Sequence, residues 1–113
     1  MKQLTDYAQL IKAALSGYVH LANKRPDSDC DVITIFDDAS QHYLVLEVGW
    51  KNNKRVQNLV LHVALHDGKI WIEEDWTEDG IATYFVNHGV PHEQIVLGFQ
   101  APNMRPYTEF AVA

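Results

Sequence analysis

The sequence predicts an α+β domain, a mainly antiparallel sheet built as a meander of four strands plus a C-terminal strand, with an N-terminal helix and a second helix packed on it. Three observations predict this. Apolar residues at the start recur with helical period, four later stretches are rich in β-branched and aromatic residues, and two of the links between those stretches are two-residue turns.

Taking the elements in order, Leu4, Tyr7, Ala8, Ile11, Leu15, Tyr18 and Val19 recur at steps of three and four, which gives an amphipathic helix one buried stripe. Thr5 and Asp6 suit its first turn. Residues 23–29, with Pro26 and two aspartates, form a connector, because proline and small polar residues favour turns over continued helix. Strands follow at 31–37, 42–50, 55–66 and 69–76. Asp67-Gly68 is the strong signal for a hairpin turn with positive φ, and Asn52-Asn53 is a weaker form of it.

Counting outward from those turns sets a register. It places Leu44 opposite Leu61, Leu46 opposite Leu59, Val63 opposite Ile72 and Leu65 opposite Ile70, and a four-residue loop at 38–41 adds Ile35 and Ile33 to the same apolar face. The helix is expected to cover that face. The other face then carries Val32, Thr34, Phe36, Tyr43, Val45, Glu47, Val60, His62, Ala64, Trp71, Glu73 and Asp75, a mixed surface for which the C-terminal segment and a second copy of the chain are both candidate covers. Thr77-Glu78-Asp79-Gly80 suits the positive end of a helix carrying Ile81, Ala82, Phe85 and Val86, with Gly89 as its stop. An apolar run at 95–99 has strand length, and Pro102 and Pro106 precede an extended end.

One domain spanning 1–113 accounts for the length, since 113 residues suffice for one core and not two. The composition is that of a folded globular protein, 47% hydrophobic and 21% charged. The formal net charge of −6 disfavours direct contact with nucleic acid. Its distribution is uneven: residues 1–72 hold eight basic and eight acidic side chains, whereas 73–113 hold Arg105 against seven acids. Such a one-sided field suits encounter with a basic protein surface. With Cys30 alone, no internal disulfide is available. No apolar stretch is long enough for a membrane span or an export signal, so a cytoplasmic location is expected.

Candidate chemistry is sparse. His62 and His66 have the spacing of helical zinc motifs, but four strand residues span about 13 Å, too far for one ion, so no metal or cofactor is expected. The register sets Tyr43, His62 and Glu73 in one row, where a His beside a carboxylate suits a general base; a small enzyme using His62 and Glu73 is the alternative to an interaction protein. Cys30, between Asp29 and Asp31, is a poor nucleophile. Glu73, Glu74, Asp75, Glu78 and Asp79 form the densest acidic stretch, with Glu73 and Asp75 expected on one face. Trp50 and Trp76 read as core; Trp71, on the mixed face, reads as an interface anchor. Arg105 reads as a salt-bridge partner for those acids. The candidate interaction surface is therefore Tyr43, His62, Trp71, Glu73, Asp75, Glu78 and Asp79.

Several motifs together carry a family likeness: His42-Tyr43, Gly49-Trp50, Arg55-Val56, Asp67-Gly68-Lys69-Ile70-Trp71-Ile72, Asp75, Thr77-Glu78-Asp79-Gly80-Ile81-Ala82, Gly89-Val90-Pro91, Ile95-Val96-Leu97-Gly98-Phe99 and Phe110-Ala111. The chain resembles the XisI family over nearly its whole length. The resemblance implies a controlling factor for excision of the fdxN element, a DNA segment removed by site-specific recombination during heterocyst differentiation in cyanobacteria. It also implies a non-enzymatic accessory role beside an XisH-like partner and a recombinase, with no catalytic residues to carry over.

Overall fold

The computed structural model describes residues 3–25 and 29–113. Helix α1 (Gln3–Ala22) leads into strands β1 (Cys30–Asp37), β2 (His42–Lys51), β3 (Lys54–His66) and β4 (Lys69–Asp75), then helix α2 (Ile81–Asn87) and strand β5 (Ile95–Leu97). The five strands form one sheet in the order β1-β2-β3-β4-β5. The first four pair antiparallel, and β5 pairs parallel to β4 because the α2 crossover returns the chain to the same end of the sheet. The α+β architecture is as predicted. Pro26 lies outside the described residues, as do the side chains of Leu4, Thr5 and Asp6.

Both two-residue turns form where the sequence puts them. Asn52, Asn53, Asp67 and Gly68 all take positive φ, so Lys51 faces Lys54 and His66 faces Lys69. One face of the sheet packs on the helices: Ile11, Ala14 and Leu15 of α1 and Ile81 and Phe85 of α2 share a core with Tyr43, Val45, Leu61, Val63, Leu65, Ile70, Ile72 and Ile95.

Two β-bulges overturn part of the expected register. Val45 pairs with Leu61 but Leu46 pairs with Leu59, so Val60 is an extra residue in β3. Leu44 therefore faces His62 and not Leu61. Because side chains alternate with period two, one extra residue exchanges the faces of β1 and β2 relative to the rest of β3 and β4. Tyr43, Val45, Val32 and Phe36 pack toward the helices, while Ile33 and Ile35 remain 41% and 43% exposed on the outer face beside the half-buried Leu44 and Leu46. The expected single apolar face is thus divided between two sides. The second bulge, at Glu73, pairs His62 with Glu74 and Leu61 with Asp75, so Glu73 and Asp75 do not share a face.

Asp75 acts as a cap. Its carboxylate accepts the Ile81 N–H at 2.6 Å and the Thr77 N–H at 2.9 Å, tying the end of β4 to the start of α2. No acidic side chain lies in the first turn of α2; Gly80, at φ 80, is its N-cap, so the expected role of Glu78 and Asp79 there falls to Asp75. Gly89, at φ 93, follows the helix as expected.

The C-terminal segment covers the β4–β5 side of the outer face. Ala111 bridges Val96 and donates its N–H to Ile95 O at 2.8 Å. Arg105 lies 5.2 Å over the Trp71 ring and donates to the carbonyls of Gln100, Gly98 and Val112. Arg105 is therefore a backbone clasp, correcting the expected salt bridge to the acidic stretch. At the other edge of the sheet, the Asn23 side chain donates to Val32 O and accepts its N–H, filling the place of a neighbouring strand for that residue. No helix among the described residues is long and apolar enough to cross a membrane.

Candidate interaction surface

Among the described residues, neither a helix nor the C-terminal segment covers the outer face of β1 and β2, where Ile33 and Ile35 are exposed. Ile33 and Ile35 of β1 pair across with Leu46 and Leu44 of β2, which makes a four-residue aliphatic block. At its end stand His42 and His62. His42 Nδ1 and His62 Nε2 lie 2.8 Å apart, so one of the two nitrogens carries the proton and the other accepts it. Burial holds the His62 imidazole below its ordinary value of 6.5, and the neighbouring His42 pushes it the same way. Glu73 and Glu74 oppose that shift from the adjacent strand, where Glu74 is the register partner of His62.

The residues singled out in the sequence disperse over the molecule. Tyr43 is 1% exposed and faces the helices, so it does not join His62 in a row. Its hydroxyl donates to Asp38 at 2.9 Å, and burial together with that carboxylate pushes the phenol up to about 12. Asp38 in turn accepts from Lys12 at 2.7 Å, which with the Tyr43 hydroxyl holds its carboxyl below the usual range. Asp38 therefore ties the β1–β2 loop both to Lys12 of α1 and to Tyr43 of β2. Trp71 is half-buried beneath Arg105, and its indole nitrogen is buried with no hydrogen-bond partner among the described residues. Glu73 packs over Gly98, where an added Cβ would lie 2.7 Å from a carboxylate oxygen. Asp75 is the α2 cap, and Glu78 and Asp79 are exposed at the loop that follows it.

The structure thus brings together His62, Glu73 and Glu74, and separates them from Tyr43, Asp75, Glu78 and Asp79. Cys30 is buried at the start of β1. Among the described residues, no three or more His, Cys, Asp or Glu side chains converge as a metal ion would need. Sequence reasoning missed the aliphatic block as a surface, since Ile33, Ile35, Leu44 and Leu46 all read as core. It also missed Trp50 and Trp76, which read as core and are 57% and 75% exposed.

The family model for the XisI protein matches residues 1–112. A crystal structure of a XisI-like protein from Anabaena variabilis ATCC 29413 is 39% identical, covering 97% of this chain and 99% of its own, with a TM-score of 0.88. A second, described as the fdxN element excision controlling factor XisI from the same organism, is 40% identical, covering 98% of this chain and 99% of its own, with a TM-score of 0.85. No curated protein matches the chain.

Proposed function

The chain belongs to the XisI family, and from that premise we propose that it is a non-enzymatic controlling factor for excision of a DNA element by site-specific recombination, working in the cytoplasm through contact with an XisH-like protein. The recombinase cuts and rejoins the DNA; this chain acts on the proteins that do so.

The observation that carries the reading is the open aliphatic block of Ile33, Ile35, Leu44 and Leu46. Four aliphatic side chains on a rigid antiparallel pair, free of charged residues within the block, suit the desolvated centre of a protein interface. The formal charge of −6 adds a second consideration, since carboxylates repel a phosphate backbone and attract the basic surface of a DNA-handling protein.

Co-expression with the XisH-like protein of the same genome, followed by size-exclusion chromatography with light scattering, tests the proposal. The two chains are expected to elute as one complex. The double variant Ile33→Glu, Ile35→Glu, placed at exposed positions that the fold tolerates, is expected to weaken the complex about a hundredfold, which corresponds to the loss of roughly 3 kcal/mol from two central contacts. Separate elution of the wild-type chains at tens of micromolar would overturn the reading.

A further inference from the structure

We propose that the groove around Tyr18 and Trp76 is a docking site for a basic, amphipathic segment of a partner protein, one that carries Arg or Lys beside apolar residues. The site is distinct from the aliphatic block on the outer sheet face and does not depend on the partner assigned to that block.

Three adjoining depressions share Tyr18 and run from the last turns of α1 past the end of β4 to the start of α2. The part between α1 and α2 is an open groove of about 670 Å³, room for several side chains. Its apolar lining is presented and not hidden: Trp76 is 75% exposed and Leu21 is 67% exposed. Trp76 is also held in place at both ends. Its backbone N–H donates to Val60 O at 3.0 Å, and its indole N–H donates to the Glu74 carboxylate. An exposed indole fixed at two points is an anchor that loses little freedom on binding.

Charge selects the occupant. Glu47 and Glu74 line one end of the groove and Glu78 and Asp79 the other, against Arg25 as the cation among its described lining residues. Four carboxylates around an apolar floor reject phosphate and acidic peptides. They favour a side chain with an aliphatic stem and a cationic head, which lays its stem on Leu21 and Tyr18 and its head over the Trp76 ring or against a carboxylate. Arginine meets these demands best, because its planar head both stacks on indole and pairs with a carboxylate. The neighbouring positions of such a segment would be apolar, to fill the remaining floor.

A display library of linear 12-residue peptides selected on the purified chain, with the Trp76→Ala protein as counter-target, tests this. The enriched peptides are expected to combine Arg or Lys with apolar residues. Once synthesised, they should shift the Trp76 indole resonance and bind at least tenfold more weakly both to Trp76→Ala and to Glu78→Lys, Asp79→Lys, with circular dichroism establishing that each variant is folded. Enrichment of acidic, uncharged or purely basic peptides would overturn the proposal. So would no enrichment over the counter-target, or equal binding to the variants.

Discussion

Gly49 sits in β2 where a side chain has no room: an added Cβ would lie 2.7 Å from Asp29 O and 2.8 Å from Cys30 Cα, both backbone atoms that cannot swing aside. Gly49→Ala must therefore part β1 from β2, and an overpacking cost of about 1–3 kcal/mol is expected in urea unfolding. His62 makes a different demand. Its folded value lies below the ordinary 6.5, so the unfolded chain binds more protons between those two values and stability falls as pH drops below about 6.5. The urea midpoint of the wild type should decline through that window, and the decline should be shallower in His62→Gln. Asp37 and Asp38, whose carboxyls are both held below 3.8, contribute stability that is lost only in much stronger acid, so the two effects separate on the pH axis. At this scale the sequence was legible where chemistry is local. Asp67-Gly68 and Asn52-Asn53 named their own turns, whereas the partnership of Tyr43 with Asp38 and Lys12 joins residues that only the folded helix brings together.

Between residues and the whole stand the strands, and there the bulge at Val60 decides which side chains meet. Leu59, Leu61, Val63 and Leu65 alternate without a visible break, and β1 and β2 are apolar on both faces, with Ile33 and Ile35 on one and Val32 and Phe36 on the other. Periodicity cannot phase a strand whose two faces are equally apolar, so the register near the turns was legible and the register beyond Val60 was not. The bulge at Glu73 left a fainter trace, three consecutive acids in place of alternation. The C-terminal segment teaches the converse lesson. It has little secondary structure of its own, yet Arg105 holds it through three carbonyls and the Trp71 ring, and His92 pairs with Glu109 at 2.8 Å. Arg105→Ala is expected to cost about 1–2 kcal/mol and to speed hydrogen exchange of the amides at 98–112 ahead of the core. Lysine should not restore protection, because it lacks the planar fork that reaches several carbonyls at once.

Across the whole molecule, helices and sheet share one core, so unfolding should be a single cooperative transition by fluorescence and by circular dichroism alike. Phe85→Ala, which empties a fully buried position between α2 and the sheet, should lower stability by about 3–5 kcal/mol without splitting that transition. The charge is unevenly spread along the chain, with seven of its acids and one cation after residue 72. Association with a basic partner should accordingly slow about tenfold between low and high salt while dissociation changes little, a contrast that stopped-flow measurement resolves. The two rims of the sheet carry a further implication. On one side Asn23 occupies the backbone of Val32, and on the other Ala111 lies along β5, so at these points a visiting strand finds main-chain positions already taken. Recognition is left to side chains on a face, and side chains can be exchanged one at a time without disturbing the ladder beneath. A few substitutions on that face would therefore change what this chain recognises while leaving its fold as it is.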